Sequence, residues 1–229
     1  MLKKIFLSFC IPLMVMSLMA QEHCPKIPVM YDADGNTYAT VQIGSQCWME
    51  SNIHATKGKD GQEFEYGKKN LSYTASYYYY VNNDASLGPE YGYLYNWTAA
   101  KRVCPAGWHL PTKEDFQILI DYCKEHFDLS KEGKGWIAKS LVAPCTWPEA
   151  KGMACPGDTA IDSNAAHFSV KPAGMFNGQY AFGSASYFWT ATQYGRSYAY
   201  NLLIYYAVPT VELFDDIQTS ARSVRCVHD

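Results

Sequence analysis

The sequence predicts an α+β fold, because helical and strand-like segments are segregated along the chain. An amphipathic helix after Pro111 and a shorter one expected over residues 136–142 both lie near the middle. From residue 168 onward, short apolar and aromatic runs alternate with glycines, which is typical of strands and turns. A helical block followed by separate strands favours α+β architecture over alternating βαβ units.

The helix after Pro111 has the clearest local signals. Thr112 can cap it, and Glu114 and Asp115 suit the positive end of the helix dipole. Apolar residues recur at spacings of three and four, which defines one buried face. These residues are Phe116, Leu119, Ile120, Cys123 and Phe127.

A β-hairpin is predicted near the start of the chain. The β-rich runs 29–31 and 37–43 flank Asp32-Ala33-Asp34-Gly35-Asn36, and Asp-Gly between such runs is a strong hairpin signal. The alternative is a calcium loop, since Asp32, Asp34 and Asn36 occupy alternate positions. That loop also requires a glutamate at its twelfth position, where Ile43 stands, so the turn is preferred.

The N-terminus predicts a secretory signal. Lys3 and Lys4 precede an apolar run, which ends at Ala20 before the polar Gln21. This run is too short for a membrane anchor, which needs roughly 20 apolar residues. We therefore expect a signal peptide over 1–20, an extended lead-in over 21–28 and one domain over 29–229, with no membrane span after cleavage.

The charge of the mature chain argues against a nucleic-acid partner. Loss of Lys3 and Lys4 changes the formal net charge from −3 to −5. Nucleic-acid binding requires a basic face that neutralises phosphates.

Seven cysteines remain after cleavage, and in an oxidising compartment they predict disulfides. They are Cys24, Cys47, Cys104, Cys123, Cys145, Cys155 and Cys226. We expect a Cys104–Cys226 disulfide, and a local Cys145–Cys155 disulfide around a loop rich in proline and glycine. An odd number leaves at least one thiol free, and Cys24, Cys47 and Cys123 all remain candidates. The spacings match no zinc site, so no metal is expected.

Six motifs in a fixed order carry a family resemblance. They are Asp34-Gly35-Asn36-Thr37-Tyr38, Ile43-Gly44-x-Gln46-x-Trp48-Met49-x-x-Asn52, Tyr91-Gly92-x-Leu94-Tyr95-Asn96-Trp97, Cys104-Pro105-x-Gly107-Trp108-His109-x-Pro111, Trp189-Thr190-Ala191-Thr192 and Ser223-Val224-Arg225-Cys226-Val227. Together they closely resemble the Fibrobacter succinogenes major paralogous domain, a family frequent in secreted proteins of Bacteroidetes and Fibrobacteres.

The resemblance implies a C-type-lectin-like fold, in the branch shared with formylglycine-generating enzymes. That fold has two helices, a small twisted and mostly antiparallel sheet, and a long loop region that presents a binding face. It also implies that the chain termini meet in the sheet. It does not bring a settled activity.

Catalytic chemistry is hard to find in the sequence. Formylglycine-generating enzymes use a pair of cysteines late in the domain, whereas only Cys226 lies beyond Cys155. The histidines are scattered, His109 is interpreted as structural, and Asp215-Asp216 is interpreted as a solvated pair on an exposed loop. We therefore expect no catalytic residues and no cofactor. The Glu-Pro-Asn and Trp-Asn-Asp motifs of calcium-dependent lectins are also absent.

The composition instead favours recognition. Nineteen tyrosines occur with serine, asparagine and glycine, a mixture typical of adaptable binding surfaces, and they cluster in Tyr77–Tyr80 and in residues 183–206. The alternative is that these rings fill the core. The predicted ligand-binding residues are Tyr194, Arg196, Tyr198, Tyr200, Tyr205 and Asp215.

The leading hypothesis is thus a non-catalytic binding or adhesion module that takes a glycan or protein ligand at the cell surface. We expect it in the periplasm, on the outer-membrane surface or outside the cell. The alternatives are an oxidoreductase similar to formylglycine-generating enzyme and a structural component of a cell envelope or pilus. Asp158-Thr159-Ala160 also resembles a bacterial O-glycan attachment site, which would modify Thr159.

Overall fold

The computed structural model describes residues 23–130, 132–144, 147–152 and 154–229. It is a mixed α/β protein in which sheets predominate. The predicted signal peptide, residues 1–20, lies outside the described residues. The described part of the lead-in contains a turn, in which the Ile27 amide donates to the Cys24 carbonyl at 3.1 Å, so it is not simply extended.

The first sheet brings both ends of the domain together. Its five antiparallel strands follow the order β1-β2-β3-β14-β7. Their bounds are β1 Val29–Tyr31, β2 Thr37–Ile43, β3 Gln46–Met49, β7 Trp108–His109 and β14 Val227–His228. β14 pairs with both β3 and β7, as expected for termini that meet in one sheet.

The second sheet has six short strands in the order β4-β5-β6-β13-β8-β9. Only the β4–β5 pair is parallel. The bounds are β4 Glu65–Tyr66, β5 Tyr77–Tyr80, β6 Tyr93–Asn96, β8 Met175–Phe176, β9 Tyr180–Ala181 and β13 Ala221–Arg222. The tyrosine run 77–80 is therefore a strand.

The third sheet is a meander of three antiparallel strands, β10 Ala185–Tyr194, β11 Tyr198–Tyr205 and β12 Glu212–Ile217. A bulge between Trp189 and Gln193 shifts the register of β10 against β11. β12 was not predicted, and Asp215 and Asp216 lie within it rather than on a loop.

Four α-helices occur in the described part of the chain, α1 Gly88–Tyr91, α2 Trp97–Val103, α3 Lys113–Phe127 and α4 Ala138–Leu141. α3 confirms the predicted helix, and Thr112 and Asp115 form a reciprocal capping box at its start. α4 lies within the predicted second helix, whereas α2 was not predicted. None of the helices in these described residues is long and apolar enough to cross a membrane.

The predicted hairpin is confirmed, since β1 and β2 pair in antiparallel register around residues 32–36. The Asp32 carboxylate organises the turn. Its Oδ1 accepts hydrogen bonds from the amides of Asp34 and Asn36, both at 2.9 Å, and its Oδ2 accepts from the Tyr38 hydroxyl at 2.6 Å. These bonds occupy the carboxylate in the way expected of an Asx-type turn.

The core packs α3 against the first sheet and connects the third sheet to the second. The buried Trp48 ring on β3 stacks on Phe116 of α3 with centroids 5.3 Å apart, and Phe168 contacts it edge-on at 5.3 Å. A second group of buried residues centres on Trp189 of β10. Its indole nitrogen donates to the Tyr95 carbonyl of β6 at 2.9 Å, which connects the third sheet to the second.

Two disulfides cross-link the described residues. Cys104 is bonded to Cys226 across a sequence separation of 122 residues, as predicted, and by loop entropy this bond contributes about 5 kcal/mol. Cys24 is bonded to Cys47, which attaches the lead-in to β3.

The other cysteines differ from these four. Cys123 carries a buried free thiol, which identifies the leftover cysteine among the three candidates. Cys155 is buried and has no disulfide partner among the described residues, while its predicted partner Cys145 lies outside them. A Cys145–Cys155 disulfide stays a prediction.

Candidate ligand-binding site

The predicted ligand-binding residues all lie on or beside the third sheet. β10 and β11 are joined by a turn at residues 195–197, in which Gly195 adopts a φ of 61°, a left-handed conformation that favours glycine. The Gln193 side-chain amide donates to the Gly195 carbonyl at 2.7 Å and so fixes the turn. Arg196 is exposed at the tip of this hairpin.

Four of the six predicted residues share one face of the sheet. Tyr194 is the register partner of Tyr198, and Tyr200 is the partner of Asp215. Directly paired residues, and residues two apart on one strand, project from the same face. We call Tyr194, Tyr198, Tyr200 and Asp215 the hairpin face.

The hairpin face is accessible to solvent. Tyr194 is 51% exposed and Tyr198 is 44% exposed, while Tyr200 and Asp215 are half-buried. The Tyr194 and Tyr200 rings meet edge-on with centroids 5.6 Å apart. Aromatic rings with free faces beside a carboxylate can bind a ligand through both apolar contact and hydrogen bonds.

Lys113 extends the hairpin face, and sequence reasoning missed it. Its ammonium lies 4.2 Å from the centroid of the Tyr200 ring, within range of a cation–π interaction. Its backbone amide donates to Thr192 Oγ1 at 2.9 Å, which ties the start of α3 to β10. The motif Thr190-Ala191-Thr192 was visible in the sequence, but this contact between distant segments was not.

The capping carboxylate of Asp115 holds the start of α3 next to this face. Partial burial raises its pKa, but hydrogen bonds outweigh burial and leave the pKa below its usual value. Those bonds come from the Thr112 amide and hydroxyl, both at 2.7 Å, and from His109. His109 lies between Asp115 at 3.3 Å and Asp229 at 2.6 Å, a structural position.

Tyr205 does not belong to the hairpin face. It lies five residues from Tyr200 on the same strand, and an odd offset places it on the opposite face. Its ring contacts Tyr206 with centroids 4.7 Å apart, and it lines a small cavity of about 150 Å³ with Leu203 and Glu212. Because side chains alternate between the two faces of β11, the residues that were predicted to form one surface lie on both faces of the sheet.

The interpretation of Asp216 as a solvated carboxylate was wrong. It forms an ion pair with the fully buried Arg222 on β13. The Arg222 guanidinium also lies over the Trp189 ring, 4.4 Å from its centroid. A buried guanidinium requires a counter-charge, which explains the acidic residue at position 216 of β12.

Several motif residues hold the fold together. Asn52 Oδ1 accepts from Nε and Nη2 of Arg225 at 3.2 and 2.6 Å, and its amide donates to the Tyr91 carbonyl at 2.9 Å. Arg225 is fully buried, and burial lowers the pKa of its guanidinium to about 9. The side-chain oxygen Oδ1 of Asn96 accepts a hydrogen bond from the Ala99 amide at 3.2 Å and so caps α2.

The exposed hydroxyl of Thr159, the predicted O-glycan site, lies in a turn. The neighbouring Asp158 is buried, and its carboxylate accepts from the Ala160 amide at 3.0 Å. Modification of Thr159 stays a prediction.

Comparison with known proteins identifies the family and nothing beyond it. No curated protein and no solved structure matches this chain. The model of the Fibrobacter succinogenes major domain matches residues 41–228, a span that includes five of the six motifs in full and the strands β3, β7 and β14 of the first sheet. The chain therefore belongs to the Fibrobacter succinogenes major domain family.

Proposed function

We propose that this chain is an exported, non-catalytic binding module with a C-type-lectin-like fold, and that its ligand, a glycan or a protein at the cell surface, contacts the hairpin face. The observation that carries the proposal is the placement of Tyr194 and Tyr198. Both rings are about half exposed on a sheet that is anchored in the core by buried residues such as Phe188, Trp189 and Leu202. Exposed tyrosines on a rigid support give much contact area for little loss of conformational entropy.

The disulfides support export, because such bonds persist in oxidising compartments. They also favour binding over the oxidoreductase alternative. Cys226 is bonded to Cys104, and burial raises the pKa of the Cys123 thiol to about 12. A thiol that stays protonated at neutral pH is a poor nucleophile.

The experiment screens the mature protein on glycan and surface-protein arrays, and then measures the affinity of each ligand found. The variant Tyr198→Ala/Tyr200→Ala is expected to weaken binding at least about tenfold, a typical effect for aromatic residues at the centre of an interface. Tyr31→Ala is the matched control, since Tyr31 is 63% exposed on β1 and lies on a different sheet.

An unchanged affinity in the double variant would contradict the role of the hairpin face. Consumption of oxygen with a cysteine-containing peptide and copper would support the oxidoreductase alternative. Isolation only as part of a large envelope or pilus assembly, with no array ligand, would support the structural alternative.

A further inference from the structure

A second cluster of tyrosines lies on the second sheet. Tyr66 of β4, Tyr78 and Tyr80 of β5, and Tyr93 of β6 form a continuous set of ring contacts. Tyr66 and Tyr80 have centroids 4.6 Å apart, and the centroids of Tyr78 and Tyr93 are 5.3 Å apart in a stacked arrangement. We call these four residues the tyrosine platform.

The strand register explains why the four rings share a face. Tyr66 pairs with Tyr78, and Tyr80 pairs with Tyr93. The alternate position, Tyr79, points into the core, where its ring is fully buried against Phe176. All four platform tyrosines are half-buried. Tyr78 and Tyr93 pack partly against the core, next to the fully buried Tyr95 on the same face, and part of the platform remains accessible.

A cavity opens beside this surface. Its volume is about 630 Å³, and it is lined chiefly by Tyr66, Lys68, Lys69, Asn70, Tyr80 and Asn83. Sites for small ligands have volumes of about 300–1,000 Å³. The Tyr66 hydroxyl donates to Asn83 Oδ1 at 2.6 Å, a bond that connects the two rims of the cavity and orients the Tyr66 ring.

The backbone on both rims adopts an uncommon conformation. Lys68 has a φ of 50° on one rim, and Asn82 and Asn83 have φ values of 50° and 58° on the other. Left-handed residues other than glycine are a few per cent of the total, and strained backbone of this kind clusters at binding sites. The two rims therefore share a backbone conformation that is uncommon for residues other than glycine.

The charged residues that line the cavity have one sign. Lys68 and Lys69 are exposed at its rim, and none of the lining residues is acidic. Glu65 pairs with Tyr77 and so projects from the opposite face of the sheet. The nearby Asp84 carboxylate already accepts bonds from the Ser86 amide and hydroxyl, at 2.9 and 2.7 Å. An anionic ligand complements this arrangement.

We propose that the cavity beside the tyrosine platform binds an acidic saccharide, such as a short chain of uronic acids. The apolar C–H face of a sugar ring packs on tyrosine, while side-chain amides and phenol hydroxyls bond to sugar hydroxyls. The two ammonium groups form charge-assisted hydrogen bonds with the carboxylate. This site lies on a different sheet from the hairpin face and does not depend on the function proposed above.

Calorimetric titration of the mature protein with an oligogalacturonate tetrasaccharide tests the site. We expect the acidic sugar to bind at least tenfold more tightly than its neutral, carboxyl-reduced counterpart, and its affinity to fall as salt rises. Lys68→Gln/Lys69→Gln should remove this preference, and Tyr80→Ala should weaken binding at least tenfold. Lys134→Gln/Lys151→Gln removes the same charge at two exposed positions elsewhere and should change little.

Three results would overturn the proposal: no binding of the acidic tetrasaccharide, equal binding of the neutral one, or binding unchanged by the Lys68→Gln/Lys69→Gln and Tyr80→Ala variants. Equally tight binding of an acidic peptide with the same charge as the tetrasaccharide would also overturn it, since the site would then recognise charge alone. The variant Tyr198→Ala/Tyr200→Ala should leave this titration unchanged. A loss there, with the platform variants still active, would assign the sugar to the hairpin face instead.

Discussion

The hairpin face and the tyrosine platform present the same residue type in two different ways. On the platform, four rings contact one another, and the rims of the adjoining cavity have left-handed backbone at Lys68, Asn82 and Asn83. On the hairpin face, Tyr194 and Tyr200 form one edge contact, and Tyr198 is 44% exposed at the start of β11. Rings that already pack together lose little freedom on binding, whereas separate rings can adapt to more shapes.

The two surfaces also differ in what supports them from behind. An ion pair between Asp216 and the buried Arg222 lies on the reverse side of the hairpin face. The platform is supported by aromatic packing, with Tyr79 and Phe176 centroids 4.8 Å apart. Each support can be removed without touching the rings in front of it, which allows the comparison to be tested.

The largest expected effect comes from Asp216→Asn. It leaves the Arg222 guanidinium buried without its counter-charge, which typically costs about 3–5 kcal/mol. The free energy of unfolding, measured with urea, should fall by about 3 kcal/mol or more. The neighbouring Asp215→Asn, on the opposite side of the same strand, should change it by no more than about 0.5 kcal/mol. Equal effects of the two variants would contradict the supporting role of the ion pair.

A smaller effect is expected from Tyr79→Phe behind the platform. The Tyr79 hydroxyl donates to the Asn70 carbonyl at 2.5 Å, and Asn70 also lines the cavity. Loss of such a bond costs about 1 kcal/mol in unfolding free energy, measured by the same urea titration. The change should also weaken binding of the acidic tetrasaccharide, because the Asn70 rim loses its anchor. Tyr80→Phe keeps the ring in the platform and should cost less stability.

The smallest expected effect is a pH dependence at the start of α3, next to Lys113 and Tyr200. The pKa of Asp115 is lowered in the folded protein, so its ionised form stabilises the fold above the ordinary aspartate value of about 3.9. That contribution is lost as pH falls through the lower, folded pKa. The stability difference between the protein and Asp115→Asn should be full at pH 6 and shrink below about pH 4. A constant difference between pH 6 and pH 3 would contradict it.

Local signals made part of this fold predictable. The Asp34-Gly35 turn and the cap formed by Thr112 and Asp115 are decided by residues within a few positions of each other, and both predictions are confirmed. α2 was missed because it has only seven residues and follows a strand rich in aromatic residues. β12 was missed because adjacent aspartates are typical of a loop. The sequence does not show that Asp216 pairs with the buried Arg222.

The two proposed binding surfaces depend on contacts that no short window of sequence contains. The pleat of β11 separates Tyr205 from the hairpin face, and only the position of the β10–β11 bulge fixes which tyrosines emerge together. On the platform, Tyr66 joins the tyrosine run because the two-residue strand β4 returns parallel to β5. Because β4 has only two residues and a polar loop separates it from β5, the sequence shows no periodicity that would reveal this pairing.

The position of β14 has a consequence for biogenesis. This strand lies between β3 and β7, yet the ribosome makes it more than a hundred residues after β7. Cys104 is therefore synthesised without its partner, and Cys123 is the next cysteine to follow it in the chain. In the folded protein α3 packs against Trp48 and Cys123 is buried, so docking of this helix takes the nearer thiol out of reach. If α3 docks before Cys104 is oxidised, the native bond to Cys226 is favoured; if it docks later, Cys123 competes for Cys104.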